Sequence, residues 1–366
     1  MLLKTLETKN FRNTSGKMDL RSGLNILIGD NGQGKTNFLE AIAILATTRS
    51  FRTVKLQETI RFDEDVAVIE GNVKISGEIT RELRAVIQER VKQFAVNGKR
   101  EAIQRYLGQL YAVVFTSEEL SVVRGGPEFR RRFLDDAITG VHPPYAATIS
   151  EFTRVLKQKN ALLQNVRDKE PSIDQTAELL EPWNKQLATL STRIHRSRVR
   201  IVERLNEKLE ERLFGSESVR IRYASSLEGK GDLNEYESLI TERLKTRVQA
   251  EVASGHALIG THRDDLEITF DGRDLRKFGS AGQQRSALLL LLLANIAVYH
   301  ATRNEYPLFL IDDIDSELDH NRIGQLLEYL DGKTQTIVTT TKESFVNEFG
   351  RGAAVFEISK GEPKPR

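Results

Sequence analysis

The stretch Gly29-Asp30-Asn31-Gly32-Gln33-Gly34-Lys35-Thr36 lies between an apolar run at 24–28 and a helical pattern that begins near Asn37. A strand, a glycine-rich turn and a helix in this order are typical of a phosphate-binding loop, where main-chain N–H groups and the positive end of the helix face phosphate oxygens. We expect Lys35 to reach the β- and γ-phosphates of a nucleoside triphosphate, and the Thr36 hydroxyl to complete the coordination of Mg²⁺. The predicted nucleotide-binding residues are Asn31, Gly32, Gln33, Gly34, Lys35, Thr36 and Asn37.

The composition is that of an ordinary globular protein. The 366 residues, of which 39% are hydrophobic and 29% charged, are enough for two domains or for one large domain with an insertion. Cysteine is absent, which excludes disulfides, thiolate metal sites and a cysteine nucleophile. With 54 basic and 52 acidic side chains the net charge is only +2, so any affinity for nucleic acid must come from local basic clusters.

Neither the N-terminal residues nor the most apolar segment predicts membrane targeting. Residues 1–11 alternate apolar and polar side chains and lack the continuous apolar core of a secretion signal. The apolar run 287–298 contains Asn295 and is too short to span a bilayer, so it predicts a buried helix. We expect a cytoplasmic protein without a membrane partner.

The order of strand and helix patterns predicts an α/β nucleotide-binding head that is interrupted by a helical insertion. Strand patterns occupy the first hundred residues and return after Gly260, and the Asn97-Gly98 pair predicts a hairpin turn. The expected domains are 1–120 and 256–366, the two parts of the head, and 121–255, a helical lobe. The predicted strands are 2–11, 24–28, 66–75, 83–88, 93–96, 266–270, 308–311 and 336–340.

The helix-rich middle, about 127–246, predicts a helical hairpin. Trp183, Leu187, Leu190, Ile194 and Ile201 recur at helical spacing, and the pattern breaks near 169–174. Its longer arm would reach only about 60 Å at 1.5 Å per residue, so we expect a compact lobe rather than a long coiled coil.

Two features of the C-terminal half complete the phosphate-binding loop. An apolar strand ends at Asp312 and Asp313. We expect Asp312 to bind the metal and Asp313 to orient or deprotonate the attacking water. The predicted catalytic residues are Lys35, Asp312 and Asp313. The segment Ser280-Ala281-Gly282-Gln283-Gln284-Arg285 precedes a leucine-rich helix and is either a capped helix start or a second anion site. One nucleotide would contact both sites if they converged across a pair of subunits.

Together these motifs resemble an ABC-type P-loop ATPase head, and more narrowly the RecF family of bacterial DNA replication and repair proteins, which are SMC-like ATPases. The resemblance covers nearly the whole chain, with mild departures at Thr261, Ala281 and Ser117. It implies a mixed sheet, an antiparallel β subdomain and a compact helical lobe. The matching segments are 10–13, 29–36, 50–52, 130–135, 260–266, 280–285 and 312–319.

The family implies a clamp that dimerises around two ATP molecules with Mg²⁺. Such a protein binds double-stranded and gapped DNA at gaps or single-strand/double-strand junctions, hydrolyses ATP slowly with stimulation by DNA, and supports RecA loading with RecO and RecR. In this chain Ser280, with Gly282 and Gln283, would complete the γ-phosphate site of the other subunit. Asp319 would lie along the interface with Ser316, and Thr340 or Thr341 would approach the γ-phosphate. Arg12 is either a phosphate contact or an exposed arginine at a strand end.

Three basic clusters are candidates for DNA contacts, although arginine and lysine on helices are usually solvated or paired with acids such as Asp135 and Asp136. The segment His262-Arg263-Asp264-Asp265 predicts a turn with local hydrogen bonds more than a metal site. The clusters are Arg49, Arg52 and Lys55; Arg130, Arg131 and Arg132; and Arg193, Arg196, Arg198 and Arg200.

Three other functions remain open from the sequence. A transporter ATPase would share the head, but its signature segment normally lies much nearer the phosphate-binding loop than Ser280 does. A DNA nuclease would use Asp312, Asp313, Asp315 and Asp319 as metal ligands. A clamp without catalysis would bind ATP and not turn it over, against which Asp313 argues.

Overall fold

The computed structural model describes residues 1–75, 79–169, 173–211 and 217–366. They form two compact units. The first unit comprises Met1–Ser121, Lys208–Ser218 and Gly279–Arg366, and the second comprises Val122–Glu207 and Val219–Phe278. Residues 256–278, which the sequence assigns to the head, therefore lie in the second unit, because their strand pairs with a strand at 219–224.

The strands are β1 (Leu2–Phe11), β2 (Thr14–Asp19), β3 (Leu24–Ile28), β4 (Val66–Lys74), β5 (Thr80–Gln88), β6 (Lys92–Val96), β7 (Lys99–Glu101), β8 (Ala112–Phe115), β9 (Val219–Ala224), β10 (Asp265–Phe270), β11 (Arg273–Asp274), β12 (Leu308–Ile311), β13 (Thr336–Thr340), β14 (Ala354–Ser359) and β15 (Glu362–Pro365). The helices are α1 (Lys35–Thr47), α2 (Ile103–Tyr106), α3 (Ser121–Arg124), α4 (Pro127–Val141), α5 (Tyr145–Lys169), α6 (Ile173–Glu210), α7 (Tyr236–Thr246), α8 (Val248–Ser254), α9 (Leu275–Phe278), α10 (Ala281–Arg303), α11 (Ile314–Glu317), α12 (His320–Leu330) and α13 (Glu343–Phe349).

The first unit contains a mixed sheet with the strand order β15-β14-β3-β13-β12-β8. Its strands are parallel except for β15, which pairs with β14 in the antiparallel sense. The central strands β3, β12 and β13 are almost wholly buried, as expected for parallel strands covered on both faces. The carboxyl ends of β3, β12 and β13 meet at one edge of this sheet, where ligands bind in open α/β folds.

A second sheet of the same unit is antiparallel throughout, with the order β2-β1-β4-β5-β6-β7. Strands β6 and β7 are joined by Asn97 and Gly98, whose φ angles of 50° and 74° are those of a two-residue hairpin turn. The predicted hairpin is therefore confirmed.

Helix α1 lies in the core between these two sheets. Residues Phe38–Ala46 of this helix are buried on all sides, and Leu39, Ile42 and Leu45 have no exposed surface. They form one cluster with apolar side chains of both sheets, including Leu6 and Leu310. Because α1 begins at Lys35, this packing fixes the position of the phosphate-binding loop.

The apolar run at 287–298 lies within α10. The predicted buried helix is therefore confirmed, and it is longer than predicted. By length and composition alone α10 would be able to cross a membrane, yet 72% of its most apolar window is buried inside the protein. The Asn295 amide donates to the Tyr111 hydroxyl at 3.0 Å, so this polar side chain has a partner in the core.

The second unit combines α4–α8 with the three-stranded sheet β11-β10-β9. Leu163 of α5, Leu180 of α6 and Val248 of α8 pack together. Helix α6 has 38 residues and reaches about 57 Å at 1.5 Å per residue, so the predicted helical lobe is compact. The predicted break near 169–174 falls largely on residues 170–172, outside the described residues.

Candidate nucleotide site

The phosphate-binding loop connects β3 to α1 at the carboxyl edge of the mixed sheet. Gly34 caps the helix with φ 108°, a backbone conformation that side chains disfavour. A Cβ on Gly29 would lie 2.3 Å from the Ile358 carbonyl oxygen, so glycine is required there by close packing as well. The main-chain N–H groups at the start of α1 are thereby presented to the cavity beside the loop.

Lys35 folds back over this loop. Its Nζ donates to the carbonyl oxygens of Gly29 at 2.7 Å and Asp30 at 2.8 Å. Burial lowers the pKa of Lys35, while the nearby carboxylates of Asp313 and Asp312 act in the opposite direction. The ammonium group is thus held between two carbonyl oxygens of the loop.

Thr36 and Asp312 meet at the loop although 276 positions separate them in the chain. The Thr36 hydroxyl lies 2.9 and 3.0 Å from the two carboxylate oxygens of Asp312, and the Thr339 hydroxyl donates to the same carboxylate at 2.7 Å. Burial raises the pKa of Asp312, and these two hydroxyl bonds oppose the rise. A hydroxyl and a carboxylate in contact are oxygen ligands of the kind that Mg²⁺ takes in nucleotide sites, so the residues fit the predicted metal.

Asp313 directly follows Asp312 and has a different environment. Its main-chain N–H donates to the Thr339 hydroxyl at 2.7 Å, and its backbone has a left-handed φ of 46°. The side chain is exposed on the cavity. One aspartate of the pair is therefore half-buried against Thr36, and the other is available to a solvent molecule.

A cavity of about 420 Å³ lies in front of the loop. It brings together eight of the predicted site residues and four others that were not predicted for this site. Arg52, Ser117, Glu317 and Thr339 are the additional ones. Ser117 and Thr339 follow or end parallel strands, so the rule that such strand ends converge is the signal that would have found them. The lining residues are Asn31, Gly32, Gly34, Lys35, Thr36, Asn37, Arg52, Ser117, Asp312, Asp313, Glu317 and Thr339.

Thr340 is placed differently from the expectation. It is fully buried and bonds to the carboxylate of Asp315, whereas its neighbour Thr339 lines the cavity. Successive side chains of a strand point to opposite faces of the sheet, which explains why Thr339 lies at the cavity and Thr340 does not.

Gln33 is turned away from the cavity and holds the turn between β14 and β15. Its carbonyl oxygen accepts from the Gly361 N–H at 3.0 Å, and its side-chain oxygen accepts from the Lys360 N–H at 2.6 Å. Among the residues that the structure describes, Gln33 is therefore a support of the loop and not part of the cavity lining.

Arg12 also lies beside the cavity without lining it. Its guanidinium group donates twice to the carboxylate of Glu40, and Asn13 donates to the Gly32 carbonyl oxygen at 3.0 Å. Arg12 is thus paired with an acid of α1 and is not a free arginine at a strand end.

The signature segment is exposed at the start of α10. Ser280 and Gln283 form a reciprocal cap: the Ser280 hydroxyl accepts from the Gln283 N–H at 3.3 Å, and the Ser280 N–H donates to the Gln283 side chain at 2.9 Å. Asp319 caps α12 by accepting from the Arg322 N–H at 3.0 Å. Within the described ranges, Ser280, Gly282, Gln283 and Asp319 do not line the cavity of their own chain.

Two of the three basic clusters have members that are paired in the protein interior. Arg130 makes two bonds to the carboxylate of Asp265, and Arg198 makes two bonds to that of Asp135. Both arginines are buried, which removes them from any DNA surface. Asp264 is buried and accepts from Tyr223 and the Ser226 N–H, as expected for a turn with local hydrogen bonds. No group of three or more histidine or acidic residues suited to a metal ion occurs in the part of the chain that the structure describes.

A phosphate-binding loop and an acidic strand end on a mostly parallel sheet, joined to an antiparallel subdomain, define an ABC-type P-loop ATPase head. The family model described as the RecF/RecN/SMC N terminal domain matches residues 2–364. The chain belongs to the RecF family of DNA replication and repair proteins. Both the predicted family and the predicted fold class are thereby confirmed.

The relatives match over their full lengths. The DNA replication and repair protein RecF of Halothermothrix orenii is 35% identical over 371 residues, covering 99% of this chain and 98% of the relative. RecF of Listeria monocytogenes is 34% identical, with complete coverage of both chains. A solved structure described as the recombination mediator protein RecF-ATPrS in the RecFOR pathway is 30% identical, with a TM-score of 0.89 and coverage of 100% and 98%. A second, described as RecF-ATP in the same pathway, has a TM-score of 0.88 at 29% identity.

Proposed function

We propose that this chain is an ATP-dependent DNA clamp of recombinational repair, which binds ATP with Mg²⁺ in the cavity beside the phosphate-binding loop. The observation that carries the proposal is the contact of 2.9 Å between the Thr36 hydroxyl and the Asp312 carboxylate, across 276 positions of sequence. The two solved relatives, described as RecF-ATPrS and RecF-ATP, support the same ligand.

Binding of the triphosphate would use groups that are already in place. Lys35 would exchange its contacts with the Gly29 and Asp30 carbonyl oxygens for phosphate oxygens, with little change in its position. The N–H groups from Gly32 to Thr36 would surround the β-phosphate. Thr36 and Asp312 would hold Mg²⁺, which when bound offsets the charge that develops on the phosphate oxygens.

Hydrolysis would depend on Asp313. Its carboxylate is exposed on the cavity, and the Thr339 hydroxyl fixes its main chain, so it is placed to orient or deprotonate a water molecule in front of the γ-phosphate. We propose a weak ATPase that DNA stimulates.

Dimerisation would complete the site. Ser280, Gly282 and Gln283 are exposed at the start of a 23-residue helix, and the positive end of the helix dipole favours an anion there. We propose that this segment of one copy contacts the γ-phosphate bound to the other copy, with Asp319 supporting the same interface. ATP then adds contacts that only the closed pair makes, and hydrolysis removes them.

The closed pair would bind double-stranded and gapped DNA at single-strand/double-strand junctions and act with RecR, RecO and RecA in the cytoplasm. The two solved relatives are described as recombination mediator proteins in the RecFOR pathway, which supports this assignment. The DNA contacts would come from exposed basic side chains and not from Arg130 or Arg198, which are buried in ion pairs.

The test is the size of the protein with and without ATP, measured by light scattering on the wild type, Lys35→Met and Ser280→Arg. We expect nucleotide-dependent dimers in the wild type alone. Lys35→Met loses the lysine contact with the phosphates, and Ser280→Arg places a bulky side chain where the segment at 280–283 would approach the nucleotide of the other copy. Equal dimer populations in all three proteins would overturn the clamp mechanism. Asp313→Asn serves as a separate control: it is expected to dimerise with ATP while phosphate release stops, and unchanged release would remove Asp313 from catalysis.

A further inference from the structure

Glu40 is a fully buried carboxylate on α1, in a stretch of the helix that is otherwise apolar on every side. A buried carboxylate is costly unless donors surround it. Glu40 accepts two bonds from the Arg12 guanidinium, at 2.5 and 2.8 Å, and one from the Ser50 hydroxyl at 2.5 Å. The Arg52 guanidinium lies 3.7 Å from the same carboxylate. Nothing in the proposed ATP chemistry uses Glu40 directly.

The groups that Glu40 holds belong to two segments outside α1. Arg12 lies between β1 and β2. Ser50 and Arg52 lie in the segment after α1, where the Ser50 hydroxyl also accepts from the N–H groups of Arg52 at 2.9 Å and Thr53 at 3.0 Å. One carboxylate therefore fixes both segments against the helix that carries the phosphate-binding loop.

These segments are tied to the loop itself by a further chain of hydrogen bonds. The Arg52 guanidinium donates to the Asn37 side chain at 2.7 Å, and Asn37 donates to Asn13 at 2.6 Å. Asn13 in turn donates to the Gly32 carbonyl oxygen at 3.0 Å. The chain closes a ring around the mouth of the loop, with Glu40 as its buried anchor.

Arg52 and Asn37 stand at the border of two cavities. Both line the cavity of about 420 Å³ beside the loop, and both also line a neighbouring cavity of about 1280 Å³, together with Arg12 and Asn13. A nucleotide whose phosphates occupied the smaller cavity and whose remainder extended into the larger one would pass this border. The Arg52 guanidinium would then lie beside its phosphates, and the Arg12 guanidinium would lie on the adjoining wall of the larger cavity.

We infer that Glu40 is a positioning residue for nucleotide binding: it holds the guanidinium groups of Arg12 and Arg52 beside the bound nucleotide. The inference rests on the proposed binding of ATP in the smaller cavity. Positioning and simple electrostatics predict opposite results here. Removing a negative charge near the site strengthens binding of a polyanion if charge alone matters, but weakens it if Glu40 orients the two arginines.

The experiment measures equilibrium binding of a fluorescent ATP analogue with Mg²⁺ to Glu40→Gln. We expect the affinity to fall about tenfold, the effect of losing one well-placed charge-assisted contact. Glu58→Gln is the matched control, because it removes the same charge from an exposed side chain that lines the larger cavity. We expect that control to bind as tightly as the wild type or more tightly. Unchanged or stronger binding by Glu40→Gln refutes the inference.

A double-mutant cycle separates positioning from loss of structure. Arg52→Gln is expected to lower the affinity for the analogue by itself. In that background Glu40→Gln is expected to lower the affinity by a smaller factor than in the wild type, because the position of Arg52 no longer depends on Glu40. Fully additive effects refute the inference. If Glu40→Gln does not fold, Ser50→Ala tests the same point with the carboxylate in place, and wild-type affinity of that variant is the refuting result.

Lys35→Met distinguishes failure of the inference from failure of the proposed function. If Lys35→Met binds the analogue as the wild type does, the nucleotide does not occupy the smaller cavity, and the proposed function fails together with the inference. If Lys35→Met loses binding while Glu40→Gln keeps it, the inference fails alone.

Discussion

Gly361, in the turn between β14 and β15, offers a sharp test of how the phosphate-binding loop is supported. Its N–H donates to the Gln33 carbonyl oxygen at 3.0 Å, and its carbonyl oxygen accepts from the Ser15 N–H at 3.1 Å. Its φ is +80°, and a Cβ added there would lie only 1.8 Å from the Asn13 carbonyl oxygen. The substitution Gly361→Ala must therefore move the turn away from the loop.

The expected cost has two parts. An alanine in left-handed backbone costs about 1–2 kcal/mol. The clash adds the loss of the hydrogen bonds to Gln33 and Ser15, each about 0.5–1.5 kcal/mol, for a total of about 2–5 kcal/mol. Because the loop then loses its fixed partner, we expect nucleotide affinity to fall at least about tenfold, which corresponds to about 1.4 kcal/mol.

The matched control is Gly352→Ala. Gly352 has a φ of +85°, and nothing lies within 4 Å of the added Cβ, so this variant carries the backbone strain without the clash. Binding of a fluorescent ATP analogue and thermal unfolding followed by circular dichroism are measured on both proteins. We expect Gly352→Ala to lose only about 1–2 kcal/mol through backbone strain and Gly361→Ala to lose more, with a fall in nucleotide affinity only in Gly361→Ala. Equal nucleotide affinities in the two variants would refute the supporting role of the turn.

Two further predictions concern the second unit. Lys159 and Glu251 form an ion pair at 2.7 Å with no exposed side-chain surface. Lys159→Met alone should lower the free energy of unfolding by about 3–5 kcal/mol, because it leaves a buried charge without a partner, and adding Glu251→Gln should restore much of this loss. Urea unfolding in which the effects of the two substitutions simply add would contradict the prediction. Burial lowers the pKa of His262 from 6.5 to about 4, so the unfolded chain binds a proton that the folded chain excludes. The contribution of His262 to stability should be intact above pH 6.5 and fall by up to about 3 kcal/mol towards pH 4. Urea unfolding at pH 7 and pH 4.5 should therefore show a smaller difference in stability for His262→Gln than for the wild type. An equal difference in the two proteins would contradict the prediction.

The strands that the sequence predicts most accurately are the buried ones. The predicted bounds 24–28, 308–311 and 336–340 are those of β3, β12 and β13, because strands covered on both faces are rich in apolar and β-branched residues. Seven of the described strands were not predicted: β2, β7, β8, β9, β11, β14 and β15. Of these, β2 and β15 lie at sheet edges and carry polar, glycine or proline residues.

The residues of the candidate site were also predicted only in part. Lys35, Thr36 and Asp312 were found from local motifs, each of which carries its own spacing or strand context. Arg52 and Thr339 line the cavity because of packing between distant segments, which no local pattern records. Placing Thr339 rather than Thr340 at the cavity requires the orientation of β13, in which Thr340 faces Asp315 of α11. The roles of Ser280, Gly282, Gln283 and Asp319 stay predictions that need a second copy of the chain.

The strand order of the mixed sheet sets when the nucleotide site can exist during synthesis. The neighbours of β3 in the sheet are β13 and β14, which begin at Thr336 and Ala354. While the ribosome is still making the second unit, the strand that carries the phosphate-binding loop has no partner in that sheet, and Asp312 has not been made. ATP therefore cannot assist the early stages of folding, and the long sequence separations favour slow assembly. Nucleotide binding would report that distant parts of the polypeptide have come together.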